Sequence, residues 1–457
     1  MLSSAFLLLV SLGAIGEIFT DAPALRLMEL GGILGFLALE LRGLSKVALI
    51  LLSLCIALPL YEVSQGTFDL ARASTAIDRA AFFAFFLTSL SFLQFAANSS
   101  PLILRSGEIL VNQRPGRRYL VLTFGAAVFG ILLNFSTIGL LGTMIAKGVS
   151  PGETDEEKRI AGIRRRRMTL AMMRGFSSLP MWSPMTVTMA LITAAIPSVA
   201  YGQIVIYSLP LAVVMLLLGW GIDRMSYPRR VLPGLPEAPS LAGLLPLMGM
   251  VIFVPSFSWG VSVILGVTLI QALLLCLPLV SLGWMAIQRW HEGALPALTG
   301  TARATVTGLL PGLPSMRSEI GLFTTSAFLG VLVLPLIDTD ALSQTIVALG
   351  LGSGAVLALA GWIAYLLSMV GVSPIISVTI LAGTLPNLTP LAISPLAVAV
   401  TMVSIWSIVV NVTPFSASVR LSARMIDEDP ARVGLRWNLA YGTLAMSILT
   451  VALLVFA

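Results

Sequence analysis

The sequence predicts an all-α polytopic membrane protein, and three observations support this. Of the 457 residues, 57% are hydrophobic and 11% are charged, whereas soluble domains carry about 25% charged residues. The mean hydropathy is +0.97. Apolar runs of about 20 residues recur along the chain, each long enough to cross the hydrocarbon core of a bilayer. A soluble globular enzyme is excluded, and so is a disordered chain, which would be rich in charge and poor in apolar residues.

The charged residues predict orientation in a membrane. Lys and Arg number 27 against 21 Asp and Glu, and they cluster in short loops between apolar runs, which is typical of cytoplasmic loops. We therefore expect a bacterial inner-membrane protein whose partner is the lipid bilayer and not nucleic acid. Cys55 and Cys276 lie in separate apolar runs and predict neither a disulfide nor a zinc site. Residues 1–26 are expected to form an extra first transmembrane helix with a cytoplasmic N-terminus.

The run 119–147 predicts a re-entrant hairpin. As one helix its 29 residues would be about 43 Å long, well beyond the hydrocarbon thickness of about 30 Å. It is interrupted at Asn134-Phe135-Ser136-Thr137, and basic residues such as Arg118 and Lys147 flank both ends. Because both flanks favour the cytoplasm, the segment is expected to enter and leave on that side. The preceding segment, 101–112, reads as an amphipathic helix at the membrane interface.

The preference of basic flanks for the cytoplasm also orients the remaining runs. In total it predicts eleven transmembrane helices and two re-entrant hairpins. The second hairpin is uncharged on both flanks, is broken at Gly371-Val372-Ser373-Pro374, and enters from the outside. The C-terminus is expected outside. The later elements are a broken helix 168–196, a return span 202–222, a cytoplasmic linker 223–240, spans 241–256 and 258–283, an interfacial segment 295–313, a span 318–337, the hairpin 353–384, a broken helix 391–425 and a last span 437–456.

Two pairs of matching segments indicate an internal repeat. The heptapeptide Ser183-Pro184-Met185-Thr186-Val187-Thr188-Met189 matches Thr413-Pro414-Phe415-Ser416-Ala417-Ser418-Val419, with an offset of 414 − 184 = 230. The two hairpin tips match with an offset of 373 − 136 = 237. The first copy is predicted to be cytoplasmic and the second external, which is the pattern of an inverted-topology repeat. The repeats are expected to span 27–222 and 241–456.

A proline within a span frees backbone carbonyls, which are costly in lipid unless they find partners. Paired with hairpin tips, such breaks allow carbonyls and hydroxyls to coordinate a cation while helix N-termini face an anion. The alternative is that the prolines only kink the helices and the hydroxyls bond to their own turns.

The candidate ligands come from the tips and breaks, which contain no Asp or Glu. Arg174 has two interpretations, contact with an anionic substrate or snorkelling to the headgroups. The predicted substrate ligands are Asn134, Ser136, Thr137, Arg174, Ser183, Thr186, Ser373, Thr413 and Ser416. The predicted cation ligands are Asn134, Ser136, Ser183, Thr188, Ser373, Asn411 and Ser418.

With these hairpins and broken helices, residues 27–456 resemble the ion transporter superfamily, especially the divalent anion:sodium symporter (DASS) family. In that family the hairpin tips carry Ser-Asn-Thr motifs that bind sodium and a carboxylate. Here the first tip keeps these residue types in altered order, and the second lacks the Asn and Thr. The resemblance implies a homodimer and an elevator mechanism, in which hairpins and broken helices move together.

The expected function is secondary active transport of a small carboxylate-like organic anion by sodium-coupled symport. The alternative on the same fold is a proton-driven exporter or exchanger of metabolites or toxic anions. We expect no catalytic residues, no cofactor and no metal beyond sodium as the coupling ion. An intramembrane enzyme would need motifs such as H-E-x-x-H or paired aspartates, which the sequence lacks. A channel is a further alternative.

Overall fold

The protein, seen in a computed structural model, is helical throughout the residues that the structure describes, which are 1–149, 153–227, 238–389 and 391–456; no strand occurs in these ranges. The α-helices are α1 (Leu2–Phe19), α2 (Pro23–Glu40), α3 (Lys46–Ser64), α4 (Leu70–Asn98), α5 (Pro101–Val111), α6 (Pro115–Leu133), α7 (Ser136–Gly148), α8 (Asp155–Ser177), α9 (Val187–Ala195), α10 (Tyr201–Ser226), α11 (Leu245–Leu265), α12 (Leu269–Gln288), α13 (Ala294–Ala304), α14 (Leu310–Gly312), α15 (Arg317–Val333), α16 (Thr339–Ala348), α17 (Ser353–Met369), α18 (Pro374–Thr384), α19 (Pro395–Val412), α20 (Ala417–Met425) and α21 (Trp437–Phe456).

Ten helical stretches among the described residues are long and apolar enough to cross a bilayer. The bent pair α16 and α17, which meet at 112°, raises the number to eleven if it is one span. These stretches confirm the predicted class, a polytopic all-α integral membrane protein. The division into eleven spans and two hairpins stays a prediction, because length and composition do not distinguish a span from a re-entrant arm.

The chain forms two compact units. The first unit comprises Met1–Ser99 and Val254–Thr339, and the second comprises Ser100–Phe253 and Asp340–Ala457. Both predicted hairpins and both predicted broken helices belong to the second unit. Each unit therefore contains residues from both halves of the sequence.

The first unit is built around α4, whose apolar side chains are mostly buried. Helices α1, α2, α12 and α15 pack against it. Phe83 of α4 stacks on Phe323 of α15, with ring centroids 6.2 Å apart. Glu62 of α3 is buried and forms an ion pair with Arg72 of α4 at 2.8 Å, so this carboxylate does not remain unpaired in an apolar environment.

The second unit depends on a very close approach of α6 and α8. A Cβ atom on Gly175 of α8 would lie 1.9 Å from the carbonyl oxygen of Thr123 in α6. Further along, a Cβ on Gly130 would lie 2.2 Å from a methyl carbon of Leu179. Small residues at such positions allow two helix backbones to pack directly against each other. Helix α21 approaches α17 in the same way, through Gly354.

The structure corrects two of the predicted boundaries. Spans were expected at 241–256 and 258–283, but α11 continues through Pro255 and the chain turns at Gly266. The φ of Gly266 is +68°, a conformation that favours glycine. The first broken helix was expected to begin at 168, but α8 begins at Asp155 behind a capping box on Thr154. In the predicted linker 223–240, residues 228–237 lie outside the described ranges.

The Gly175 contact gives a prediction about stability. Gly175→Ala is expected to lower the free energy of unfolding by about 1–3 kcal/mol, because the new methyl group has no space beside the Thr123 carbonyl. Gly162→Ala on the same helix is the control, since nothing lies within 4 Å of its added Cβ. The measurement is the denaturation midpoint of the detergent-purified protein. Equal midpoints for the two variants would contradict this packing.

Candidate functional site

The first broken helix is interrupted between α8 and α9, at residues 178–186. Two hydroxyls satisfy backbone groups there, as expected where a helix stops inside an apolar environment. Ser183 Oγ accepts a hydrogen bond from the backbone N–H two residues on, at 3.3 Å. Thr186 caps α9 by accepting from the N–H of Met189 at 3.3 Å. Thr188, another predicted ligand, is buried in the first turn of α9.

The second broken helix repeats this local structure. Thr413 Oγ1 accepts from the N–H of Phe415 at 3.3 Å, and Ser416 caps α20 by accepting from the N–H of Val419 at 3.2 Å. Each of these residues lies 230 positions after its counterpart in the first break. Helices α9 and α20 both have nine residues, and their first residues are separated by the same offset. The caps and the resumed helices are therefore equivalent in structure as well as in sequence, whereas the first break is longer, because α8 ends at Ser177 and α19 continues to Val412.

The two broken helices contact each other at residues that the same offset relates. The Ser407 hydroxyl in α19 donates to the carbonyl oxygen of Ser177 in α8 at 2.6 Å, and the two residues are 230 positions apart. The Asn411 side-chain amide donates to Ser177 Oγ at 2.7 Å. Two copies related by a twofold rotation bring equivalent residues together at the rotation axis. This contact is compatible with a pseudo-twofold axis near Ser177 and Ser407, and the inverted repeat itself stays a prediction.

The first hairpin turns at Asn134, whose φ of +48° lies in the left-handed region. The N–H of Thr137 donates to the Asn134 carbonyl at 3.0 Å, which closes the turn. The Phe135 ring lies 5.4 Å from the ring of Phe176 in α8, so the tip packs against the end of the broken helix. Asn134 and Ser136 are half-buried, whereas Thr137 is fully buried.

The second hairpin turns at Gly371, which has a φ of +97°. A Cβ at this position would touch the ring of Phe415 at 3.6 Å, so this tip also lies against a break. Ser373 caps α18, accepting from a backbone N–H of the first helical turn at 3.4 Å. The Thr413 hydroxyl donates to the carbonyl oxygen of Ser368 in α17 at 2.6 Å. Both tips are thus packed beside interrupted helices.

The second arm of each hairpin packs against the broken helix of the opposite repeat. Helix α7 contacts α20, and helix α18 contacts α9. At the first of these contacts a Cβ on Gly142 would lie 2.9 Å from Cβ of Met425. Each hairpin therefore packs against the broken helix from the other half of the chain, as expected if two copies of a unit interlock about a twofold axis.

Most predicted ligand hydroxyls make local hydrogen bonds. In addition to the caps already described, Ser416 and Ser418 both donate to the Val410 carbonyl, at 2.9 and 2.5 Å. The alternative in which hydroxyls bond to their own turns describes the caps, but Thr413 donates to Ser368 of α17 and Ser418 donates to Val410 across the break. An accepting hydroxyl also keeps a further lone pair. Two of the predicted ligands have polar atoms that make no such bond. Thr137 Oγ1 and Asn411 Oδ1 are buried and have no hydrogen-bond partner among the described residues.

Arg174 is buried, with 2% of its surface exposed. Its Nη1 donates to the Tyr119 hydroxyl and to the Gly219 carbonyl, both at 2.9 Å. Nε and Nη2 donate to Oδ1 of Asn438 at 3.2 and 3.1 Å. The guanidinium also lies over the Tyr441 ring, 4.6 Å from its centroid. The side chain does not extend to the surface, so the interpretation that Arg174 snorkels to the headgroups is wrong. Contact with a substrate stays a prediction and would require an exchange of these bonds.

Sequence reasoning missed four of these residues. Ser177 and Ser407 carry the contact between the broken helices, and the 230-residue offset was the signal that could have found them. Tyr119 and Asn438 hold Arg174. Their only signal in the sequence was a polar side chain in an apolar run. Asn438 lies 264 residues from Arg174, so the sequence gave no indication that the two residues pair.

Comparison with known proteins reveals the fold. No family model matches the chain, and no curated protein sequence matches it. Among solved structures it is similar to the crystal structure of the YdaH transporter of Alcanivorax borkumensis, which is described as having an unusual topology. The TM-score is 0.54 at 16% identity, over 90% of this chain and 98% of that chain. The chain therefore has the fold of a membrane transporter. The resemblance to the divalent anion:sodium symporters stays a prediction.

The bonds of Arg174 lead to a prediction. Arg174→Gln is expected to lower the free energy of unfolding by about 2–4 kcal/mol, because the buried partners lose the donors that satisfy them. Arg159→Gln on the same helix is the control, since Arg159 forms an exposed pair with Glu156 at 2.7 Å, and it should leave stability unchanged. Denaturation of the detergent-purified variants measures both. An Arg174→Gln protein as stable as the wild type would show that the bonds only offset the cost of burying the charge.

Proposed function

We propose that the protein is a secondary active transporter that moves a small, carboxylate-like organic anion across the membrane, with sodium as the coupling ion. The observation that carries this proposal is the contact between two interrupted helices at Ser177 and Ser407, residues related by the repeat offset. Interrupted helices that meet inside a membrane protein are the usual way in which transporters build binding sites near the bilayer midplane. The fold shared with a membrane transporter supports the same function.

Helix N-termini favour an anion as the substrate. Helices α7, α9, α18 and α20 all begin at an interruption, beside Asn134, Thr186, Ser373 and Ser416. The unpaired N–H groups and the helix dipole at such ends attract negative charge. Neither the hairpins nor the two breaks contain an Asp or Glu that would repel it, and the acidic residues of α8 lie at its far end, in the first turn. A carboxylate group is small enough to be held by N–H groups and hydroxyls alone.

Neutral oxygens favour a sodium ion as the coupling ion. Asn411 Oδ1 and Thr137 Oγ1 are buried and unpartnered among the described residues, and both are uncharged ligands of the kind that binds sodium together with the carbonyls of unwound helix ends. Arg174 lies one turn before Ser177 in α8 and carries a buried charge that an anion would compensate. We therefore propose that Arg174 also takes part in substrate binding.

The elevator mechanism and the homodimer are also proposals. Both hairpins and both broken helices belong to the second unit, so a displacement of that unit would carry the whole site. Proton-driven export or exchange on the same fold is the alternative. The absence of carboxylates from the hairpins and from the breaks at 178–186 and 413–416 favours sodium, because a proton carrier in a span is usually an acidic residue.

Sodium binding by the purified protein tests the proposal. Asn411→Ala is expected to weaken binding of radioactive sodium by at least about tenfold, which corresponds to about 1.4 kcal/mol, because it removes an uncharged buried ligand. Ser177→Ala is the matched control. It removes the acceptor of the Asn411 amide at 2.7 Å but leaves Oδ1 in place, so sodium affinity should be retained.

Transport itself is measured with proteoliposomes. Labelled dicarboxylates, sulfonates and oxyanions, first ranked by thermal shift with and without sodium, are supplied under an inward sodium gradient or an inward proton gradient. Saturable uptake that requires sodium is the expected result. Uptake or efflux that follows the proton gradient alone would replace the proposal with the proton-driven alternative, and non-saturating conductance would indicate a channel.

A further inference from the structure

Three carboxylates of the first unit converge between helices. Glu17 of α1, Glu29 of α2 and Asp78 of α4 each place one oxygen within 4.8 Å of the oxygens of the other two. These residues lie outside the hairpins and broken helices, and the proposed transport site does not use them. Three like charges at this spacing repel each other strongly in an apolar environment.

Glu29 provides a second, independent observation. Its side chain is fully buried, with 0% exposure. Both of its carboxylate oxygens lack a hydrogen-bond partner among the described residues. An unpaired carboxylate anion in such surroundings costs several kcal/mol or more. The buried group is therefore stable only when a cation or a proton neutralises it.

The neighbouring arginine does not neutralise Glu29. Arg26 Nε lies 3.2 Å from Glu17 and 3.2 Å from Asp78, and its Nη2 lies 2.5 Å from Asp21. One guanidinium thus serves three carboxylates and makes no bond to Glu29. Glu29 interacts electrostatically with the same groups, Glu17, Asp78 and Arg26.

Arg79, which follows Asp78 in α4, is the other positive group that acts on that carboxylate. With Arg26 it supplies two positive charges against the four carboxylates of Glu17, Asp21, Glu29 and Asp78. The cluster therefore retains negative charge until it takes up positive charge from solution.

The packing of α1 on α2 creates room for this group. A Cβ atom on Gly13 would lie 2.7 Å from Cγ of Glu29, so only glycine allows the glutamate to occupy its position. The exposed fraction of the side chains falls from 81% for Asp21 to 26% for Asp78 and 18% for Glu17. The buried Glu29 thus lies beside partly exposed carboxylates that are able to exchange protons with solvent.

We propose that Glu17, Glu29 and Asp78 form an exchangeable proton-binding site, in which Glu29 is the acceptor. A proton from water bonds to one Glu29 oxygen and converts the carboxylate into a neutral carboxylic acid, with Glu17 and Asp78 as intermediate acceptors. A proton fits better than a metal ion, because Arg26 already occupies the side of the cluster that faces Glu17 and Asp78. This site is independent of the proposed transport function.

Infrared spectroscopy of the full-length protein in detergent tests the site. Between about pH 6 and pH 9 exposed carboxylates are already ionised, so a carboxylic-acid carbonyl band that disappears over this range reports a buried proton. The wild type should show the band, and Glu29→Gln should abolish it. Glu40→Gln should keep it, since Glu40 of α2 accepts from Ser3 at 2.6 Å and pairs with Arg317 at 3.3 Å.

Three results would overturn the proposal. They are a wild-type spectrum without a titrating band, a band that persists unchanged in Glu29→Gln, and a band that millimolar calcium, magnesium or sodium removes at constant pH, which would identify a metal site. If Glu29→Gln does not fold, Asp78→Asn replaces it. Removing a neighbouring charge should shift the midpoint pH of the wild-type band downward, and an unchanged midpoint would contradict a shared site.

A stability measurement gives a second readout. A proton held by Glu29 in the folded protein is released on unfolding, so the wild-type free energy of unfolding should fall as the pH rises through this range. Glu29→Gln should remove that decline, whereas Glu40→Gln should retain it. A decline of the same size in Glu29→Gln would contradict the assignment. Neither measurement uses transport, so failure of the proton site is distinguishable from failure of the transport proposal.

Discussion

The second unit depends on satisfying the backbone where helices stop inside an apolar environment. Each interruption frees backbone N–H and carbonyl groups, and in an apolar environment these groups need partners within the protein. Hydroxyls of Thr186 and Ser416 cap the resumed helices, and Ser407 bonds the carbonyl of Ser177. These bonds make two interrupted helices compatible with a membrane, and one of them joins α19 to α8.

The sequence indicated these interruptions because the signals are local. A hydroxyl beside a proline stops a helix and caps the next one through chemistry that operates within four residues. The capping residues therefore lie at Ser183–Thr186 and Thr413–Ser416, where the motifs predict them, although the first break already begins after Ser177. The roles of individual hydroxyls were harder to predict, since a hydroxyl that caps its own turn and one that binds an ion have the same spacing in sequence.

Features that depend on tertiary packing could not be read from the sequence. The partners of Arg174 come from α6, α10 and α21, and no periodicity brings them together. Glu17 and Glu29 lie in apolar runs, but Asp78 precedes its run by two residues, and only the packing of α1, α2 and α4 joins the three. The end of α11 was misplaced because Pro255 is accommodated within the helix and Gly266 makes the turn.

The close approach of Gly175 to the Thr123 carbonyl also limits how the first hairpin moves. With no space between the two backbones, α6 and α8 behave as one rigid body, and sliding between them would force atoms into overlap. The joint of this hairpin is then Asn134, where the backbone leaves the helical region. A rearrangement of the tip would therefore have to involve α7 and the turn at Asn134, because α6 is held against α8.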